Sequence, residues 1–456
     1  MRWGRILGWA VVIAVIVIAA TWQTPAAGPR RAPRAERERP APARMPVPAR
    51  ADAGWAPDAA KATVMQPPTA GDPGGYCDGP AGPAGYARPN AGHEVGGWLA
   101  NQEHPLPAGA MEAVRQAWAS HSAEEALELA GEATRAAPGH AGTQATLGLM
   151  ARRAGRPFLA AESLARAVSL SGDEGAVLRE LADALAVTGR TAEALHHWRR
   201  YATAHPDDWE AQRRVRLLET AREVEADFRT HADPWFPVSS HPDVPAERVA
   251  AVQQALRNAL PRVVALLGPL RDPVAVSIYR ERADLLATTC AQGWAHAVFD
   301  GQMRFQDESG GVLRRPEALE KVAAHELTHV LQRRTRARAD GWLTEGVARW
   351  IAHEEDRGYL RTLAALAANG TCIPFSSMMG PLMVLEHAED SALAYDQALM
   401  MVHWVVSRVG ADGLAALLRH EQRDGEAALA GVLGLGRDAL TSSFMDWARG
   451  AAPRGD

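Results

Sequence analysis

His325-Glu326-Leu327-Thr328-His329 is followed, after a basic stretch, by Gly341-Trp342-Leu343-Thr344-Glu345-Gly346-Val347-Ala348. Pro316 stands where a first-turn proline belongs, Glu317 and Glu320 follow it, and the run closes on Arg333, Arg334 and Arg336. Acidic residues near the start and basic residues near the end suit the helix dipole, so the pattern predicts one helix over about 316–335. Residues four apart on a helix lie one above the other. His325 and His329 can then bind one metal ion from one face, with Val322, Leu327, Val330 and Leu331 packing around it. A catalytic zinc takes three protein ligands and keeps one position open. Glu345 is the candidate third ligand, on a second helix starting near Trp342 with Asp340 as its cap. His329 lies about six residues before the intervening turn and Glu345 about four after it, so two antiparallel helices would bring both to one level at ~1.5 Å per residue. Gly346 and Ala348 would let those helices pack closely.

This His-Glu-x-x-His followed by Trp-Leu-x-Glu-Gly-x-Ala resembles the gluzincin zinc peptidases, in particular bacterial peptidase-MA-like domains. The likeness covers about 233–450 and is most specific at the metal motifs. Val274–Tyr279 reads as a strand. Gln292–Phe305 reads as a hairpin with Asp300-Gly301 at its turn, similar to the edge-strand region of those enzymes. The helix carrying Tyr395-Asp396-Gln397-Ala398 also looks like theirs. The resemblance implies Zn²⁺ held by His325, His329 and Glu345. It implies Glu326 as the general base that takes a proton from the attacking water and passes it to the leaving amine. It further implies an edge strand able to pair with an extended substrate. Tyr395 is the candidate oxyanion donor, against the alternative of a half-buried structural tyrosine. His296 and His353 read as surface or packing residues, and His403 as a helix residue beside the core. One departure stands out: some relatives have an acid, orienting the first histidine, one turn after the glutamate ligand. Here that position is Arg349, and the partner of His325 must come from elsewhere.

Upstream the chain repeats. Leu147 and Leu181, Gly155-Arg156 and Gly189-Arg190, and the series Ala126, Ala160 and Ala194 all recur at a spacing of 34. Glu125-Ala126-Leu127 returns as Glu193-Ala194-Leu195, and Pro138 and Pro206 stand two periods apart with Gly172 midway. The pattern resembles the tetratricopeptide repeat, a helix–turn–helix unit whose small residues let paired helices approach closely. Repeats are expected at about 105–138, 139–172 and 173–206, with Gly155 and Gly189 at the turns and a capping helix from Asp208 to about His231. Such stacks offer a concave surface to a protein or peptide partner.

The N-terminus differs from all of this. Arg2 and Arg5 precede an uncharged apolar run, Ile6–Trp22, which reads as a membrane anchor or a cleaved signal, with the anchor preferred because Ile18-Ala19-Ala20 is a mediocre cleavage site. The two arginines favour an inside N-terminus, although Arg30, Arg31 and Arg34 pull the other way. Residues 23–104 are rich in Pro, Ala, Gly and Arg, with 14 of the 30 prolines falling between Pro25 and Pro89. With few aliphatic side chains to offset ordering entropy, the segment reads as a disordered tether. Its Arg30–Arg50 part holds seven arginines against two glutamates, either a solvated charge run or a contact for an anionic membrane surface.

The 456 residues suggest two to four domains at roughly 100–200 residues each, and 47% hydrophobic content is ordinary for a globular protein. A net charge of −5 argues against a bulk nucleic-acid binder. Three cysteines, none in a Cys-x-x-Cys pair, exclude a disulfide scaffold and a thiolate zinc site. Cys290 and Cys372 could pair if exported or remain buried thiols, and Cys77 lies in the tether. The expected architecture is mainly α with a small β-sheet: a membrane helix at 1–22, the tether, an α-solenoid of repeats over 105–232, and an α+β zincin-like peptidase domain over 233–456. The expected function is a single-pass membrane zinc peptidase acting outside the cytoplasm, secreted if the N-terminal segment is cleaved. Its repeats would recruit a protein partner or substrate. The rivals are a repeat scaffold with a weakly active or inactive peptidase-like domain, and a non-peptidase zinc hydrolase.

Overall fold

A computed structural model of the chain describes residues 123–171, 175–289, 297–307, 311–335, 340–380, 388–420 and 424–452, with 116 and 382. All belong to one compact unit, Pro68–Asp456. The expected membrane helix, the tether through residue 104, most of the first repeat's opening helix, Cys77, Cys290 and His296 lie outside the described residues.

The chain is mainly helical with one small mixed sheet. Among the described residues six helices come first: α1 (Ala123–Ala136), α2 (Ala141–Arg153), α3 (Pro157–Ser171), α4 (Gly175–Val187), α5 (Thr191–Ala204) and α6 (Trp209–Val224). Their first residues keep the sequence period: Ala123, Pro157 and Thr191 are 34 apart, as are Ala141, Gly175 and Trp209. Consecutive helices pack as antiparallel hairpins. Ala126, Ala160 and Ala194 are fully buried at the seams, where a larger side chain would hold the helices apart. Gly155 and Gly189 form the turns with φ of +70° and +79°, a region that L-residues with a Cβ avoid. The last helix is shorter than the sequence suggests. Asp208 caps α6 by accepting from Ala211 N at 3.0 Å, but the helix stops at Val224. His231 lies instead in a strand, because residues 229–231 find backbone partners in the sheet.

That sheet runs in the order β1-β2-β3-β5-β4. Its strands are β1 (Arg229–His231), β2 (Val238–Ser240), β3 (Val276–Tyr279), β4 (Ala297–Phe299) and β5 (Met303–Gln306). β2, β3 and β5 are mutually parallel, and the two outer strands are antiparallel to their neighbours. The expected hairpin forms between β4 and β5, with Phe299 opposite Met303 and Asp300-Gly301 in the turn. Asp300 accepts from Gln302 N at 3.2 Å, and Gly301 takes φ +126°. Long helix α7 (Ala246–Leu267) leads into β3, and short α8 (Arg282–Thr289) follows it.

The remaining helices are α9 (Pro316–Arg334), α10 (Gly341–Ala352), α11 (Arg357–Asn369), α12 (Phe375–Met378), α13 (Ala388–Leu418), α14 (Gly425–Leu433) and α15 (Arg437–Ala451). The helix expected at about 316–335 is α9, covered by α7 on one side and α10 on another. Gly346 lets α10 approach α13 so closely that a Cβ would collide with the Ala398 carbonyl oxygen. In α13 the stretch Ala392–Leu418 is apolar and long enough to cross a membrane by length and composition. Its Ala398, Leu399, Met401, Val402, Trp404 and Val405 form part of the core.

Candidate metal centre

α9 and α10 carry the site. Asp340 sits at the N-cap of α10 as expected, but its side chain makes no capping hydrogen bond to that helix. His325 and His329 stand one turn apart on α9, their rings nearly perpendicular with centroids 4.8 Å apart. Glu345, on the first turn and a half of α10, brings Oε2 to 3.6 Å from Nε2 of each histidine. One ligand atom from each of the three lies within 4.8 Å of the others.

The opposite ring nitrogens are engaged. His325 Nδ1 lies 3.0 Å from Glu354 Oε1, and His329 Nδ1 lies 3.0 Å from Gln332 Oε1. In a neutral ring each acceptor favours the proton on Nδ1, which leaves the Nε2 lone pair directed at the cluster. Gln332 also donates from Nε2 to the Thr344 carbonyl at 3.0 Å. One side chain therefore ties the His329 ring to the backbone just before Glu345.

Glu354 comes from a turn that an unusual residue makes. α10 ends on His353 with φ +55° and ψ +56°, the one non-glycine residue at positive φ among the described residues. The turn brings Glu354 N back to the Arg349 carbonyl at 3.1 Å and the carboxylate to His325. Arg349 then donates from Nε to Glu354 Oε2 at 3.1 Å and from its terminal nitrogen to Asp396 Oδ1 at 2.9 Å. Asp396 Oδ2 accepts from Thr362 Oγ1 at 2.7 Å. The orienting acid that sequence reasoning looked for one turn past Glu345 is supplied by Glu354, and Arg349 holds it there. Nothing local in the sequence marks Glu354 or Asp396 for this role. Gln332 could have been found, being three residues past His329 on the same helix.

The electrostatics follow from burial and pairing. Burial opposes charge on His325, but Glu354 and Glu345 outweigh it and hold its pKa well above the ordinary imidazole value. His329 is raised likewise, with Glu345 overcoming its burial. Burial would raise Glu345, yet the two imidazoles hold it far below the usual carboxylate range. Glu354, buried against His325 and Arg349, is held down to about 2. Glu326 behaves differently: burial raises its pKa, only partly offset by His325 and His329. The site thus keeps two carboxylates firmly ionised beside a third that is a stronger base.

Two imidazoles and a carboxylate are the donor set of a catalytic zinc site, and ligands about 2.1 Å from a tetrahedral ion sit about 3.4 Å apart. The two 3.6 Å separations at Glu345 fit that spacing. Tyr395 lies outside the ligand cluster, half-buried against the core on α13. His353 is exposed, and His403 pairs with Glu355 at 3.0 Å. Cys372 is half-buried, and burial pushes its thiol up. No protein-family model matches the chain, and no curated protein gives a significant match.

Proposed function

We propose that this protein is a zinc-dependent peptidase, with His325, His329 and Glu345 as metal ligands and Glu326 as general base. One observation carries the reading. Glu345 Oε2 lies 3.6 Å, a zinc-like separation, from Nε2 of each histidine, all three ligand atoms fall within 4.8 Å of one another, and both Nδ1 atoms are already engaged. When bound, zinc supplies a Lewis acid that brings the pKa of water toward neutrality and polarises a carbonyl. The chain's own residues do the rest. Glu354 and Gln332 hold the imidazoles in one tautomer and orientation. Glu326, beside the first ligand and raised by burial, takes the proton of the attacking water and returns it to the leaving amine nitrogen. β4 is an edge strand, and an extended peptide can add to such an edge through main-chain hydrogen bonds. Tyr395 remains the candidate oxyanion donor.

The helix starts repeating every 34 residues support a tetratricopeptide stack in front of a zincin-like domain, and that stack is proposed to engage a protein partner or substrate. The membrane anchor at 1–22, with the enzyme outside the cytoplasm, is proposed from sequence alone. The rival reading, a repeat scaffold with a weakly active or inactive peptidase-like domain, rests on Arg349. The hold of Arg349 on Glu354 favours the enzyme.

The test is zinc analysis of the full chain with a broad peptide-cleavage profile, alongside Glu326→Gln. The variant should keep zinc and fold and lose roughly 10²–10⁴ in hydrolysis. A full chain that binds zinc and cleaves no peptide would move the assignment to the scaffold, and one that binds no zinc would end the metal reading.

A further inference from the structure

We propose that the helical hairpin stack is docked on this chain's own metal helix and on the sheet beside it, so that the docked face belongs to the enzyme, and that Asp272 and Arg156 are positioning residues for the ligand-bearing end of α9. The positioning half rests on the zinc reading; the docking half does not.

Three contacts carry it, one from each successive level of the stack. At the first turn, Gly155 lies so close to Arg334 that a Cβ would strike the Arg334 carbonyl oxygen. The neighbouring Arg156 donates from Nε to Asp272 Oδ1 at 2.5 Å, and Phe158 N donates to Asp272 Oδ2 at 3.0 Å. Asp272 is 4% exposed. Its own carbonyl, and that of Pro273, each accept from the Arg334 guanidinium at 2.6 Å. At the second turn, Gly189 packs on Ala275, and Gln302 Nε2 donates to the Ala186 carbonyl at 2.6 Å. At the end of α6, Glu225 accepts from Thr191 Oγ1 at 3.0 Å and from the buried Arg304 of β5 at 2.9 Å, and it also bonds the Tyr279 hydroxyl of β3.

One charged residue from each of α2, α4 and α6 acts on the same element. Arg152 on α2, Asp183 on α4 and Arg214 on α6 are 31 residues apart in turn, which on a 34-residue repeat is a row slanting by one turn per level. All three act electrostatically on Arg333, as does Asp300. Arg333 and Arg334 follow His329 by four and five residues, so the stack grips the turn of α9 next to a proposed ligand. Burial there pulls Arg334 down to about 10 even with Asp272 opposing it. Hydrogen-bonded ionic groups at the first and third levels, Asp272 and Arg304 among them buried, are what a fixed joint needs. A recruiting arm carried on a flexible link would leave them solvated.

The experiment uses the full chain with Asp272→Ala and Arg156→Ala, and Arg199→Ala as control, since the Arg199–Glu219 pair is exposed and joins α5 to α6 within the stack. Hydrogen exchange is followed at the amides of 331–335 without metal, and zinc release to a chelator is followed from the loaded protein. Docking predicts at least tenfold faster exchange at 331–335 in both variants, none in the control, and several-fold faster zinc release. If Asp272→Ala does not fold, Arg156→Ala decides. Unchanged exchange in a folded variant would overturn the docking. Faster exchange with unchanged zinc release would overturn the positioning role alone. Wild-type protein that holds no zinc would remove the positioning half with the metal reading and leave the exchange test standing.

Discussion

Glu354 Oε1 lies 3.0 Å from His325 Nδ1, although 29 residues separate the two. The pairing depends on three features of unlike origin: the left-handed turn at His353, the clamp from Arg349, and the anchoring of Arg349 by Asp396 on α13. It links α9, α10 and α13 into one support for the first proposed ligand.

Replacing that carboxylate should weaken metal binding before it disturbs the fold. Glu354→Gln is expected to lower zinc affinity by about 10–100-fold, the usual consequence of losing a ligand's hydrogen-bond partner. Arg349→Ala should do the same to a smaller degree. Competition titration against a chromogenic chelator reads both, and an affinity unchanged in Glu354→Gln would dismiss the carboxylate as an orienting group.

Gln332 makes two bonds with different jobs. Gln332→Leu should lose both, reducing zinc affinity by about tenfold. Gln332→Glu keeps an acceptor for His329 Nδ1 but cannot donate to the Thr344 carbonyl, so its affinity should fall between wild type and Gln332→Leu. Wild-type affinity in Gln332→Glu would mean that the Thr344 bond contributes nothing, and equal losses in the two variants that the His329 bond contributes nothing.

His353 holds a left-handed conformation that costs an L-residue about 1–2 kcal/mol, and its side chain is exposed. His353→Gly removes that cost at the expense of added freedom in the unfolded chain. The expected net gain is about 0.5–1 kcal/mol in denaturant unfolding, with zinc affinity unchanged. A loss of stability would show that the His353 side chain itself contributes.

Stability should depend on pH differently with and without metal. In the metal-free protein the folded pKa of His325 is raised. Its contribution is therefore complete below the ordinary value near 6.5 and is lost as pH rises through the raised one. Glu354 runs the other way: its contribution is present above the ordinary carboxylate value and is lost as pH falls toward about 2. Bound zinc requires neutral imidazoles, so the loaded protein should lack the alkaline decline, and acid should release the metal by protonating both histidines. Melting temperatures across pH 4–10 for both forms test this; the same alkaline decline in each would rule out His325 as its source.

Local pattern was enough for much of this protein. A proline followed by acids and closed by arginines marks a helix wherever it stands, and α9 occupies Pro316–Arg334. Spacing of four on that helix brings two imidazoles to one face, and the repeat period sets where Ala141, Gly175 and Trp209 begin their helices. These features are legible because they depend on dihedral preferences and on periods of 3.6 and 34 residues. The partners of the histidines are another matter. Glu354 reaches His325 through a histidine in a conformation that favours glycine, and Arg349 reads from sequence as the loss of an orienting acid when it in fact holds one. The grip of Gly155 on Arg334, and of Arg156 on Arg334 by way of Asp272, joins segments far apart in sequence, Arg156 and Asp272 by 116 residues and Asp272 and Arg334 by 62. Such contacts have no local signature: each depends on which surfaces meet once α9, α10, α13 and the hairpin stack have packed. Burial then decides the chemistry by raising Glu326 and letting its neighbours hold Glu345 ionised.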